Sequence, residues 1–371
     1  MDLPGEFGSG MTLRDKVVTA AEAVALVRDD DTVVVEGFAG QCFAEELALA
    51  LEARFLQTGV PRDLTLAFTV AQGDRQGRGT DRLCYEGLLK CAIGGHWGMS
   101  GELGKMAVEN KIEAYNLPQG VIAQLFRDTA AGKPGLLTHV GLDTFVDPRN
   151  GGGKINDRTI EDRVELMTID GREYLFYKAF KRLDVAFLRG TTADPTGNIT
   201  MEREALFLES LAVATAVHNA GGLVIVQVER IAEAGSLHPK DVRIPGVFVD
   251  CVVVSTPEHH TQTWGTKYSP AMSGELRVPL SSLPSLDLSV RKVIARRAAM
   301  ELRPNSVVNL GIGIPEGVAS VAAEEHVLSF ITLTAEPGVI GGMPTGGLDF
   351  GSAINGDAIA VGGGARGAIH Y

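Results

Sequence analysis

The stretch Asp31-Thr-Val-Val-Val-Glu-Gly-Phe-Ala-Gly40 runs four β-branched residues straight into a glycine turn. A continuous apolar run of this length, bounded by turn residues, reads as a strand buried on both faces, the kind found in parallel sheets. Upstream, Thr19 to Arg28 has the spacing of an amphipathic helix; downstream, Phe43 to Phe55 reads as a second helix. The order helix, strand, glycine turn, helix is the unit from which α/β folds are assembled.

The order recurs near the other end of the chain. Setting Asn305-Ser-Val-Val-Asn-Leu-Gly-Ile-Gly-Ile314 under Asp31–Gly40 places Val307, Val308 and Gly311 on Val33, Val34 and Gly37. Ala299, in the preceding helix, then falls on Ala25. Between the two units, strand-like Leu64 to Val70, Cys91 to Gly95 and Ile112 to Leu117 alternate with helix-like Glu102 to Asn110 and Val121 to Asp128. Val185 to Arg189, Gly222 to Val228 and Phe248 to Ser255 add three β-rich runs. The alternation predicts an α/β fold with mostly parallel sheets, arranged as two similar open domains related by duplication.

Domain limits follow from composition. Residues 1–10, MDLPGEFGSG, read as a cloning scar before a native start at Met11. Residues 11–268 form the first domain. Residues 269–288, with three prolines and five serines and no periodicity, read as a linker. Residues 289–371 begin a second domain with helix-like Ser289 to Leu302 and strand-like Val307 to Leu310, and this domain is expected to be cut short.

The net charge of −12 disfavours nucleic acid, which needs a basic face, but leaves room for a small anion on local cations and backbone N–H groups. Cys42, Cys84, Cys91 and Cys251 show no CxxC spacing, which suits free thiols in a reducing cytoplasm. No uncharged apolar run is long enough to predict a membrane span. Glycine is abundant, 45 of 371 residues, and clusters after apolar runs, as tight turns beside backbone or ligand require.

Two of those turns, Gly37 to Gly40 and Gly311 to Pro315, can present N–H groups to a phosphate or an oxyanion, or can simply pack. Neither fits the dinucleotide fingerprint: GFAGQC lacks its spacing, and GIGIPE has Glu316 at the third glycine. His96-Trp97, within Gly94-Gly-His-Trp-Gly98, either lines a pocket or packs inside its turn. Asp194 and Asn198 carry Asx-turn chemistry. His259 and His260 point to opposite faces of an extended chain, so no metal site is expected there. No G-x-S-x-G elbow is present. Glu336, in Ile331-Thr-Leu-Thr-Ala-Glu-Pro-Gly-Val-Ile-Gly-Gly-Met343, closes a strand where α/β sheets place their ligands, though a solvent-facing acid fits the same stretch.

Taken in order, several segments resemble the family I coenzyme A transferases, which include acetate, propionate and 3-oxoacid CoA-transferases. They are Glu36–Gly40, Gly94–Gly98, Leu117–Gly120, Arg189–Asp194 with Gly197-Asn198, His260–Thr263, Asn309–Pro315 and Thr334–Gly342. The resemblance implies two similar α/β halves and a glutamate nucleophile at Glu336. It implies oxyanion and substrate contacts at Gly37, Phe38, Ala39, Gly40 and Gln119, and CoA contacts at Gly311, Ile312, Gly313, Ile314 and Pro315. Coenzyme A is then a substrate and not a resident cofactor; the partners are acyl-CoA and a short-chain carboxylate, and the assembly is a homo-oligomer. Glutamate ordinarily titrates near ~4.3, so such a nucleophile needs no separate base at neutral pH. The C-terminal VGGGARGAIHY departs from the family pattern. An acyl-CoA hydrolase and a catalytically silent remnant are the alternative readings.

Overall fold

The structure, a computed structural model, describes residues 15–279 and 285–360. Residues 1–10, and with them the expected scar, lie outside the described residues, as does the 361–371 tail.

A sheet of seven parallel strands forms the centre. From one edge it runs Cys251–Val254, Leu223–Val228, Val185–Arg189, Thr32–Val35, Leu64–Phe68, Leu89–Gly94, Glu113–Asn116. All four residues of Thr32–Val35 are buried, which is why the strand reads as an unbroken β-branched run. Alternate side chains enter opposite cores. Val34, Ala67 and Ile93 pack with Val121, Leu125 and Phe126 of helix Gln119–Ala130 and Val213 and Val217 of helix Ser210–Asn219. Val33, Val35, Leu66 and Phe68 pack with Leu47 and Leu51 of helix Glu45–Thr58 and with Leu103 of helix Gly101–Val108. Each such leucine or phenylalanine contributes about 1.5–3 kcal/mol by leaving water.

From Thr32–Val35 the chain builds three strands to one side, then returns to build three on the other. The order reverses between Thr32–Val35 and Val185–Arg189, and the crevice at the carboxyl ends of those strands is where an open α/β sheet receives ligands.

Several expectations shift. The Thr19–Arg28 helix shortens to Ala20–Val24, with Thr19 and Glu22 forming a capping box. The Phe43–Phe55 helix moves to Glu45–Thr58. Helix Ser210–Asn219 and the antiparallel sheet of Gly135–Thr138, Val164–Ile169 and Arg172–Lys178 were not anticipated. Val164–Ile169 exposes every residue after Val164, so its sequence lacks the alternation that marks a half-buried strand. Its turn residues, Asp170 and Gly171, both have positive φ (50° and 74°), and Asp-Gly was the available hairpin signal.

The second unit repeats the start of the first. Val307–Asn309 pairs in parallel with Thr332–Thr334 across helix Glu316–Glu324, with Val307 opposite Thr332 as Val33 lies opposite Leu66. By that register Glu336 occupies the position of Val70. The remainder of this small sheet is antiparallel: Thr332–Thr334 pairs with Val339–Ile340, which pairs with Ala358–Ile359. The described part of the 269–288 segment does not run free. Pro270–Ser273 is helical, and Val278 exchanges two hydrogen bonds with the Asn355 side chain, at 2.9 and 2.7 Å. Among the described residues, no helix is long and apolar enough to cross a membrane.

Candidate active site

Glu336 begins the turn that ends strand Thr332–Thr334. The Ala335 N–H donates to Val339 O (2.8 Å), Gly338 N–H to Ala335 O (3.1 Å), and Ala360 N–H to Gly338 O (2.7 Å). Pro337 fixes its own φ, and Gly338 sits at φ 123°, where a Cβ would meet Ala360 O at 2.8 Å. The backbone under the carboxylate is therefore held from both sides. Gly338→Ala would strain it by about 1–3 kcal/mol. If the turn aims the carboxylate, kcat should fall roughly tenfold to a hundredfold, checked by steady-state kinetics beside a melting curve.

Ala335 and Val339 are buried in one apolar cluster with Phe38, Ala39 and Val70. The half-buried Glu336 thus meets loops at the carboxyl ends of the central strands. One such loop carries His96, close enough for the Glu336 carboxylate to act on its charge. Desolvation lowers the imidazole pKa; Glu336 opposes that shift, and Arg75, whose Nε holds Gly98 O at 2.8 Å, adds to it. The ring is neutral at pH 7. Its neighbour Trp97 instead packs edge-on against Phe68 at 5.6 Å, the packing role left open for the pair.

Gly37 to Gln41 form a closed, stiff loop. Phe38 and Gln41 exchange backbone hydrogen bonds at 3.0 and 2.9 Å. Gln72 Nε2 donates to Gly37 O, Gly73 N–H and Trp264 Nε1 to Ala39 O, and Trp264 N–H to Gly40 O. With its carbonyls satisfied, the loop can offer an oxyanion only amides, and the Phe38 amide is already used. Gln119 is the first residue of helix Gln119–Ala130, behind Pro118, rather than part of an open turn. Its Cα lies where a Cβ on Gly95 would come within 2.7 Å, which sets it beside the His96 loop.

The Gly311–Pro315 loop stands apart from that cluster. It joins Val307–Asn309 to Glu316–Glu324, and Gly313 N–H donates to the Glu316 carboxylate at 2.9 Å. The residue that breaks the dinucleotide fingerprint therefore fills part of the cradle with its own negative charge. Gly313 and Ile314 line a cavity of about 640 Å³ with Arg291, Lys292 and Asp349. Ile312 is exposed, and neither it, Gly311 nor Pro315 lines that cavity.

The residues tying the two units together were quoted in the sequence motifs without a role, or missed. Gln41 Nε2 donates to Asp349 O (2.9 Å) and Phe350 O (2.8 Å). The Asp349 carboxylate accepts the Thr263 hydroxyl and, at 3.0 Å, that of Thr266. Asp194, as its turn chemistry predicts, accepts from the backbone N–H groups of Thr196 and Asn198 (3.0 and 3.1 Å). Among the described residues no cluster of three or more His, Cys, Asp or Glu is placed to hold a metal.

Beneath the Phe38 loop lies a buried pair of acids, Glu36 and Glu209. Burial, then the charge of Glu209, push Glu36 well above the ordinary carboxylate range, against the Ser210 hydroxyl that donates to it at 2.7 Å. Burial raises Glu209 as well, against Thr69 and Arg127. Among the described residues, Glu36 Oε1 has no hydrogen-bond partner. Both groups bind a proton more tightly folded than unfolded. The stability they contribute is complete below the unfolded value of about 4.5 and is lost as pH rises toward their folded values. Glu36→Gln is therefore expected to stabilise the protein at pH 8 relative to pH 4, by on the order of 1–3 kcal/mol. Urea unfolding at the two pH values measures the difference.

A family model described as coenzyme A transferase matches residues 17–255. The chain is 50% identical over 344 residues to caffeate CoA-transferase of Acetobacterium woodii, covering 92% of this chain and 66% of that protein. It is 44% identical over 347 residues to acetate CoA-transferase YdiF of Escherichia coli K12, covering 93% and 65%. The crystal structure of acyl-CoA transferase YdiF from E. coli O157:H7, in a thioester complex with CoA, matches with a TM-score of 0.87 at 41% identity, over 94% of this chain and 65% of that one. The chain spans just under two thirds of the length of these relatives. With more than half of its residues inside the family model, the chain belongs to the coenzyme A transferase family.

Proposed function

We propose that the chain transfers coenzyme A between a short-chain acyl-CoA and a carboxylate such as acetate, with Glu336 as the nucleophile. The Glu336 carboxylate attacks the thioester carbonyl, the C–S bond breaks, and CoA leaves as its thiolate, giving an acyl-glutamyl anhydride. The thiolate then attacks the glutamyl carbonyl, a C–O bond breaks, and the first carboxylate departs from a glutamyl-CoA thioester. A second carboxylate takes the CoA by the reverse steps. Carboxylate enters and carboxylate leaves, so no proton is consumed. Each attack forms an oxyanion, for which the Gly37, Ala39 and Gly40 amides and Gln119 are the proposed donors and neutral His96 a neighbouring one; Phe38, whose amide is taken by Gln41 O, is left a packing role. The Gly311–Pro315 loop is the proposed CoA contact, with its cavity.

The observation that carries this reading is the Glu336 turn itself. Its backbone is fixed, its flanks are buried against the Phe38 loop, and its carboxylate is near enough to His96 to act on the charge of that ring. The thioester complex with CoA of the related YdiF supports it from outside. Domains 11–268 and 289 onward are proposed to share the site. Incubation with acetyl-CoA followed by peptide mass spectrometry should find CoA joined covalently to the Glu336 peptide, with acetate released. An adduct at another residue, or one that persists in Glu336→Ala, sinks the assignment.

A further inference from the structure

A second polar site lies on the other side of the sheet reversal. Arg189 ends strand Val185–Arg189, is only 4% exposed, and donates through Nε to Glu204 Oε1 at 3.1 Å. Its two terminal nitrogens have no hydrogen-bond partner among the described residues, and the residue lines a cavity of about 200 Å³. His260, 9% exposed, lines the same cavity.

The proton on His260 can be placed. Gln227 Oε1 accepts from Glu46 N–H (2.9 Å), so its amide nitrogen is the group that meets His259 O (2.9 Å) and His260 Nδ1 (3.1 Å). His260 Nδ1 is then an acceptor and Nε2 carries the hydrogen. Nε2 is fully buried, and among the described residues it points at Glu204 Oε1 over a long 3.5 Å contact that couples the ring to that carboxylate. Burial and the charge of Arg189 lower the His260 pKa, against Glu204, so the ring is neutral at pH 7.

The charges around the cavity do not cancel. Arg189 answers Glu204, and Arg203 pairs with Glu229 while stacking 3.6 Å over the Tyr268 ring. Lys267, exposed at the cavity, has no ion pair among the described residues. One positive charge is left over, beside a guanidinium whose terminal nitrogens lack acceptors among the described residues. The volume equals roughly six or seven waters at ~30 Å³ each. That is below the ~300 Å³ at which pockets for larger ligands begin, so an acyl-CoA does not fit.

We infer that this cavity binds a short-chain monocarboxylate, held by the free nitrogens of Arg189, with Lys267 supplying the surplus charge and His260 holding Glu204 in place behind the guanidinium. A planar fork suits a carboxylate better than a spherical halide. The cavity is lined by neither Glu336, His96 nor any residue of the Gly37–Gln41 loop, so the inference stands even if Glu336 proves inert.

Calorimetric titration of the full chain with sodium propionate, with sodium chloride as the control at equal ionic strength, tests it. Wild type and Glu336→Ala should bind propionate saturably with the same affinity. Arg189→Lys, which keeps the charge but loses the fork, should bind at least about tenfold more weakly. A wild-type crystal soaked in propionate should show the carboxylate on Arg189, a readout that survives if the lysine variant fails to fold. Absence of saturable binding, equal binding of chloride, loss of binding in Glu336→Ala, or density at another place each overturns the inference.

Discussion

Glu336→Ala is expected to lower kcat/KM for CoA exchange between acetyl-CoA and labelled propionate by on the order of 10⁴- to 10⁶-fold, the scale on which enzymes lose activity without their nucleophile. Stability should change little, by about 1 kcal/mol or less, because the half-buried side chain leaves Ala335, Pro337 and Gly338 to hold the turn. Glu336→Asp separates nucleophilicity from reach. It keeps the carboxylate but withdraws it by one methylene, and a displacement of about 1 Å should cost roughly 10²-fold. The exchange assay, run beside a melting curve, reads all three proteins. Residual exchange above about a hundredth of wild type in the alanine variant would move the chemistry to another residue.

Arg189→Met should produce the largest stability change, about 3–5 kcal/mol, because it strands Glu204 as a buried charge without its partner. In the intact protein burial pushes Glu204 upward, but the Arg189 charge, with His260 alongside, outweighs it and holds the carboxyl at about 2. That depressed value makes the pair stabilising above pH about 4.5, and the contribution is lost as pH falls toward 2. Without Arg189 the sign reverses: burial alone raises Glu204, and the variant weakens as pH rises. Urea unfolding at pH 4 and pH 8 should therefore show a larger deficit at pH 8. The double variant Arg189→Met with Glu204→Gln should recover much of the loss, since it removes the stranded charge. Equal deficits at the two pH values would mean that Glu204 is not held ionised by Arg189.

Much of the central sheet was legible in the chain. Thr32–Val35, Val185–Arg189, Leu223–Val228 and Cys251–Val254 are largely buried apolar runs, and such runs bounded by turn residues announce parallel strands. Helix ends were less legible: the Val121–Asp128 pattern gave no sign that the helix starts at Gln119, because Pro118 lets it begin two residues earlier. The hairpin of Val164–Ile169 and Arg172–Lys178 escaped because solvent covers its first strand and leaves no period to read there.

Local sequence was enough for an α/β fold, for two glycine turns in equivalent positions, and for a single carboxylate, Glu336, at the end of a later strand. Each is a matter of neighbours along the chain: burial sets the hydrophobic run, and positive φ sets the glycines. What surrounds that carboxylate came from folding. His96, Phe38 and Val70 lie more than two hundred residues away in sequence and reach Glu336 because parallel strands deliver their loops to one edge of a sheet. The same holds for the raised pair Glu36 and Glu209, and for Arg189, Glu204 and His260 around their cavity. Desolvation and charge coupling depend on distance in space, and no spacing along the chain records it.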